Sequence, residues 1–249
     1  NIENNGVIRS YSPDDQLAVE IAGNITNNGL WTCNLVSLTG TATQLIFQSP
    51  GKQFDCSFVD LNAGSKVQAL SNITITKDFN LNKTTLEMEG ATLTIYGWLY
   101  NGFINNTMLH NGFLQNVTSL DNLTIKGIVT VESNNIFQKS VVVTDTLQSK
   151  EYGGGSTVYT LTIDGNILNN GVIRNSSSDD QLALEIWGNI ENKGEWLHGF
   201  TKFSGSRAHQ ISALAGHIFS GQFSVLNSIG SITANSDVVF TGDFDLGKM

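Results

Sequence analysis

Charge of either sign is scarce in this chain. Lys and Arg number 13 and Asp and Glu 22 among 249 residues, so 14 % of the chain is charged, against roughly 25 % in ordinary soluble domains. The basic residues are scattered and the formal net charge is −9. Phosphate recognition requires clustered Lys and Arg, so this balance argues against a nucleic-acid partner and against anionic membrane surfaces. Proline occurs only twice, too rarely for a Pro-rich disordered linker. No apolar run approaches the roughly 20 residues of a spanning helix, and membrane insertion is not expected. The first residues lack the basic and apolar regions of a signal peptide. Helical periodicity is hard to find anywhere, and no GxSxG, phosphate loop or dinucleotide fingerprint occurs. No catalytic, cofactor-binding or metal set is assigned.

What fills the chain instead is Asn (27) and Gly (25), spread over a regular repeat. Residues 166–196, NILNNGVIRNSSSDDQLALEIWGNIENKGEW, match residues 1–31, NIENNGVIRSYSPDDQLAVEIAGNITNNGLW, at 22 of 31 positions without a gap. The match continues more weakly at the same offset of 165 through Phe54/Phe219, Phe58/Phe223 and Asn62/Asn227 to Leu81/Leu246. A shorter period lies inside it: Asn1-Ile2 returns at Asn24-Ile25, and Asn166-Ile167 at Asn189-Ile190, each after 23 residues. Residues 1–165 therefore read as a first long repeat of about seven turns and 166–249 as an incomplete second, in one continuous solenoid. Asn1 falls inside a pattern that later occurs in full, and the chain stops where the first copy runs on into LNKTTLEMEG. Both ends read as cut from a longer array.

Each turn carries short period-2 segments such as Leu17, Val19 and Ile21, punctuated by Gly and Asn-Gly. Alternation of that kind marks half-buried strands, and Gly or Asn suits a bend that needs a positive φ. The expected fold is all-β: a right-handed parallel β-helix, or β-solenoid, of about 23 residues per turn and ten or eleven turns, about 4.8 Å per rung. Stacking explains the shortage of charge, because like charges on successive rungs would be held about 5 Å apart. Asn at the bends can instead bond to its neighbours above and below. An antiparallel sandwich or a propeller would leave the regular return of register unexplained.

The pair Asp14-Asp15, repeated as Asp179-Asp180, admits three readings: a polysaccharide-cleaving acid/base pair, a calcium site, or a capped turn. An active site is normally assembled once, whereas this pair is copied with the scaffold, so the turn is favoured and no cofactor is assigned. Arg9 and Arg174, five residues before each pair, suggest a surface ion pair. His110, His198, His209 and His217 show no metal-ligand spacing. Gly153-Gly154-Gly155 reads as a loop. Cys33 and Cys56 are 23 residues apart, one turn, where Cα atoms near 5 Å permit a disulfide; a bonded pair and two buried thiols both fit. Trp31 and Trp196 are equivalent. Tyr96, Trp98, Tyr100 and Phe103 could form a glycan-stacking surface, though rings filling the interior are the favoured reading. Sequons at Asn24, Asn72, Asn82, Asn116 and Asn122 are expected by chance in a chain so rich in Asn and Thr.

The segments GNIxNNGxI, LTIDGN and QFSVLNSIGSITANSDVVFTGDF resemble the adhesin-like β-helix repeats of large secreted surface proteins of Bacteroidota-type bacteria. The resemblance covers nearly the whole chain and is one of repeat style, without a catalytic motif. It implies an extracellular or cell-surface, non-enzymatic stalk or filament. The expected function is a structural or adhesive rod whose partners are other copies of itself, adjoining repeats or surface glycans. The alternatives are a carbohydrate-active enzyme of the pectate-lyase type, which needs a groove of Asp with a basic residue, and an ice-binding solenoid, which needs a flat Thr array that only ITIT from Ile73 approaches.

Overall fold

The structure is a computed structural model that describes residues 1–12, 16–151, 156–227 and 230–247. The chain forms two compact units, Asn1–Leu120 and Asp121–Met249, a division that falls inside the first long repeat. The described residues contain 29 short strands and no helix. The fold is a parallel β-solenoid, with about eleven turns in the two units together.

In the first unit the alternation of the sequence becomes an alternation of burial. Along Phe54–Asp60 every second residue is buried, because successive side chains of a strand point to opposite faces. Residues of the same kind then stack: Phe58 lies beside Phe79, Phe79 beside Leu99 and Leu99 beside Leu114. A second column joins Val67, Leu86 and Ile104. Trp31, Phe54, Phe58 and Phe79 meet edge-on or tilted at centroid distances of 5.4, 5.2 and 5.5 Å.

The rungs are not uniform in length. Ile2 pairs with Ile25 at the spacing expected from the repeat, but the next step of that column, Ile25 to Ile46, is shorter, and the step from Leu99 to Leu114 is shorter still. The spacing overall is about 21. Some of the extra residues sit in bulges inside the strands Leu30–Leu38 and Glu195–Phe203, and the paired columns resume on either side of each bulge. The shortest rungs turn on left-handed residues, Asn101, Asn106, Asn111 and Asn116, with φ between 49° and 62°, Asn111 being followed by Gly112 at a φ of 107°; Asn tolerates the left-handed region better than most residues.

The second unit repeats the scheme. Ile167, Ile190 and Ile211 form one column, and Ile173, Trp196, Phe219 and Phe240 another. Spacing varies here too: the step from Leu123 to Val141 is shorter than the repeat, and the next, from Val141 to Ile167, is longer. Phe219, Phe223, Phe240 and Phe244 form a ring cluster with centroids 4.8 to 5.7 Å apart.

The Asn-Asn-Gly corner has a specific construction. Buried Asn4 donates through Nδ2 to Asn27 Oδ1 (3.0 Å) and to the Leu30 carbonyl (2.9 Å), while its own Oδ1 accepts from the Gly6 N–H (3.1 Å). Asn169 makes the same three bonds to Asn192, Glu195 and Gly171. A carboxamide in the core is thereby satisfied, avoiding a penalty of about 1–3 kcal/mol for each orphaned group. The glycine of this corner is required for a different reason from the expected one. Gly29 does not adopt a positive φ; instead, a Cβ built on it would lie 2.1 Å from the Gly6 carbonyl oxygen. Rung-to-rung contact, and not backbone handedness, excludes a side chain there. A second ladder runs outside: Asn24 Oδ1 accepts from Leu45 N–H, Asn166 Oδ1 from Asn189 N–H, and Asn189 Oδ1 from Gln210 N–H, at 2.8 to 2.9 Å.

Candidate functional site

The aromatic group of the first unit faces outward, correcting the expectation that it fills the interior. Ile95, Leu99 and Ile104 are fully buried. Their neighbours in the period-2 pattern, Tyr96, Trp98, Tyr100 and Phe103, must therefore lie on the other face, and all four are partly or well exposed. Tyr96 is 57 % exposed. Both faces of the segment are apolar in sequence, so alternation alone defined two faces without saying which was inside.

The rings are organised. The pairing of strands Trp98–Asn105 and Thr107–Ser119 sets Trp98 beside Phe113, and the two rings stack with centroids 4.9 Å apart and planes inclined by 29°. Sequence reasoning missed Phe113 because the rung that joins it to Trp98 is far shorter than the repeat. Asp78, also missed, accepts the Trp98 backbone N–H through Oδ1 at 2.9 Å. Partial burial raises the Tyr100 phenol above its ordinary value, and the nearby Asp78 carboxylate adds to that shift. Tyr100 is therefore a neutral hydroxyl at physiological pH. Asp55, on an adjoining rung, accepts from the Thr76 hydroxyl at 2.7 Å. Tyr96 also borders a concavity of about 820 Å³ whose walls include Phe47, Lys52, Thr74, Thr92 and Thr94. The surface thus offers flat ring faces edged by hydroxyls, carboxamides and two carboxylates, the combination that binds a sugar through its C–H face and its hydroxyl rim.

The remaining candidates have structural surroundings. Asp14 and Asp15, and Gly153-Gly154-Gly155, lie outside the described residues. Asp180 is buried, its N–H bonded to Ser177 Oγ at 3.0 Å, and Ser178 Oγ donates to Asp179 at 3.3 Å, the geometry of a Ser-capped turn. Arg174 donates to Gln148 Oε1 (3.0 Å), not to the acidic pair. Among the described residues no three of His, Cys, Asp and Glu gather as metal ligands. Nδ1 of His198, His209 and His217 is within hydrogen-bond distance of the carbonyls of Leu182, Gly188 and Gly194. His110 Nδ1 lies 3.3 Å from Thr94 Oγ1. Trp187 is 41 % exposed and donates to Glu185 Oε1 at 3.2 Å, a second outward ring on the second unit. Of the sequon residues, Asn24, Asn72 and Asn122 use their Oδ1 to accept the N–H of Leu45, Thr92 and Ser140.

Cys33 and Cys56 are buried free thiols on adjacent strands. Hydrogen bonding with the Cys56 thiol favours the thiolate at Cys33, while the same interaction and burial hold Cys56 protonated. Comparison with family models, with curated proteins and with solved structures finds no match.

Proposed function

We propose that this chain is a non-enzymatic structural or adhesive repeat protein of the cell exterior, and that the outward aromatic stripe of its first unit recognises glycans. The stacked Trp98–Phe113 pair carries the reading. A soluble β-structure gains by hiding such rings, and here the alternation that buries Leu99 obliges a tryptophan and two tyrosines to face solvent together. Partners of this chemistry are neutral or weakly acidic polysaccharides, with further repeats or copies of the chain as structural neighbours.

Affinity electrophoresis through gels containing neutral and uronic-acid polysaccharides tests the proposal. Retardation by at least one polymer, relieved by Trp98→Ala, is the expected result. Migration unchanged in every gel removes glycan recognition. Release of unsaturated or reducing ends in the same panel, with or without calcium, overturns the non-enzymatic reading in favour of a lyase. Light scattering at rising concentration addresses contacts between copies, and monomers throughout would remove them.

A further inference from the structure

Cys33 lies on the strand Leu30–Leu38 and Cys56 on Phe54–Asp60, which run parallel with Trp31 opposite Phe54 and Thr32 opposite Asp55. The register then slips by one residue, so that Leu35 meets Ser57 and the pair Cys33-Asn34 bulges against Cys56. Both cysteines point into the core, 3 % and 0 % exposed. Neighbouring parallel strands are about 4.8 Å apart, inside the Cα separation that a disulfide accepts. A bulge gives one strand local freedom to bring its sulfur to its partner.

The polar surroundings point the same way. Trp31 is fully buried and its indole Nε1–H has no hydrogen-bond partner among the described residues. At the equivalent place in the second copy Trp196 Nε1 donates to Thr201 Oγ1 (3.3 Å), and Thr201 lies 3.0 Å from His198 Nε2. The first copy replaces Thr201 by Val36 and His198 by Cys33, so neither a hydroxyl nor an imidazole stands at that place, and the Cys33 thiol is the group that the indole N–H influences. Two reduced thiols side by side hold two S–H donors in an apolar core. Oxidation removes both donors and keeps a sulfur near the indole. Where the second copy loses one cysteine it loses both: Gly221 stands for Cys56, and a Cβ on it would lie 2.0 Å from the His198 carbonyl oxygen.

We infer that Cys33 and Cys56 are a disulfide-forming pair that staples one rung of the first unit to the next. The oxidant is a low-molecular-weight disulfide. The Cys33 thiolate attacks one of its sulfurs and expels a thiolate, forming a mixed disulfide. The Cys56 thiolate then attacks the Cys33 sulfur, the intramolecular S–S bond forms, and the second small thiolate leaves. The two cysteines lose two protons and two electrons, and the oxidant becomes two thiols. Because both sulfurs are sealed in the folded core, exchange proceeds as the chain folds or when the rung opens.

The test is refolding of the whole chain in glutathione buffers of oxidising or reducing poise, followed by maleimide alkylation in denaturant and intact-mass measurement. The oxidised sample is expected to take up no maleimide, to weigh two hydrogens less than the reduced one, to remain monomeric on a non-reducing gel, and to yield a Cys33–Cys56 cross-linked peptide. Its denaturation midpoint should exceed that of the reduced protein, a difference that C33S/C56S abolishes. If that variant does not fold, the mass and peptide map of the wild-type chain still decide. Two alkylated thiols after oxidising refolding, a glutathione adduct on either cysteine, or a disulfide-linked dimer overturns the inference.

Discussion

Acidification from about pH 7 to about pH 4 should destabilise the second unit by about 3 kcal/mol through one side chain, His198. Its imidazole is buried against Trp196, with ring centroids 5.2 Å apart. The Leu182 carbonyl can only accept, so Nδ1 carries the proton and donates to it (3.1 Å). Nε2 is then the acceptor for the Thr201 hydroxyl (3.0 Å), whose oxygen accepts in turn from Trp196 Nε1 (3.3 Å). A second proton on Nε2 would leave the Thr201 hydroxyl hydrogen without an acceptor and bury a charge. Burial lowers the His198 pKa from 6.5 to about 4, opposed only by the hydrogen bond to Leu182. The sign follows from linkage. Between these values the unfolded chain binds a proton that the fold refuses, so stability falls as pH drops through the window and levels off below it. Urea unfolding followed by tryptophan fluorescence, run on wild type and His198→Gln from about pH 7.5 to about pH 4, isolates the effect because the carboxylates titrate in both. Glutamine can offer an N–H to Leu182 and an oxygen to Thr201 without titrating. A wild-type-minus-variant stability difference that stays flat across this range would refute the argument.

Other consequences are as direct. Asn27→Ala removes the acceptor of Asn4 Nδ2 and of the Gly29 N–H, and the donor to the Gln53 carbonyl; it should cost about 2–4 kcal/mol by chemical denaturation, whereas the half-buried Asn28, whose side chain bonds to Asn5 and Ser49 nearer the solvent, should lose less on change to Ala, about 1 kcal/mol. Gly29→Ala pushes a methyl to 2.1 Å from the Gly6 oxygen and should cost about 3 kcal/mol. Gly6→Ala, with nothing within 4 Å of its Cβ, is the matched control in the same melts. Trp98→Ala should leave the midpoint almost unchanged, since the ring lies outside the core, while weakening polysaccharide binding by about tenfold, equivalent to about 1.4 kcal/mol.

The parallel solenoid was legible in the regular return of Asn-Ile and in period-2 alternation, because stacking equivalent residues is the only arrangement in which that register is useful. The same spacing placed Cys33 beside Cys56, since their two strands keep the period of the repeat at Trp31/Phe54 and Thr32/Asp55, immediately before the cysteines. The Ser-rich turn at Asp179-Asp180 was likewise readable from local chemistry. The lengths of the other rungs were not. A corner can gain or lose several residues without disturbing the columns it connects, so Trp98 and Phe113 came together at a spacing the repeat did not advertise.

Which face of the Tyr96–Tyr100 segment is inside was settled only by the columns above and below, where Phe79 and Leu114 claim Leu99 for the core. The relay from Trp196 through Thr201 to His198, and the clash that reserves Gly29, likewise depend on atoms brought together by folding. Sequence periodicity determined that this chain stacks on itself. The three-dimensional contacts decided which side chains each rung hides, because burial belongs to a stack of neighbours and not to any one strand.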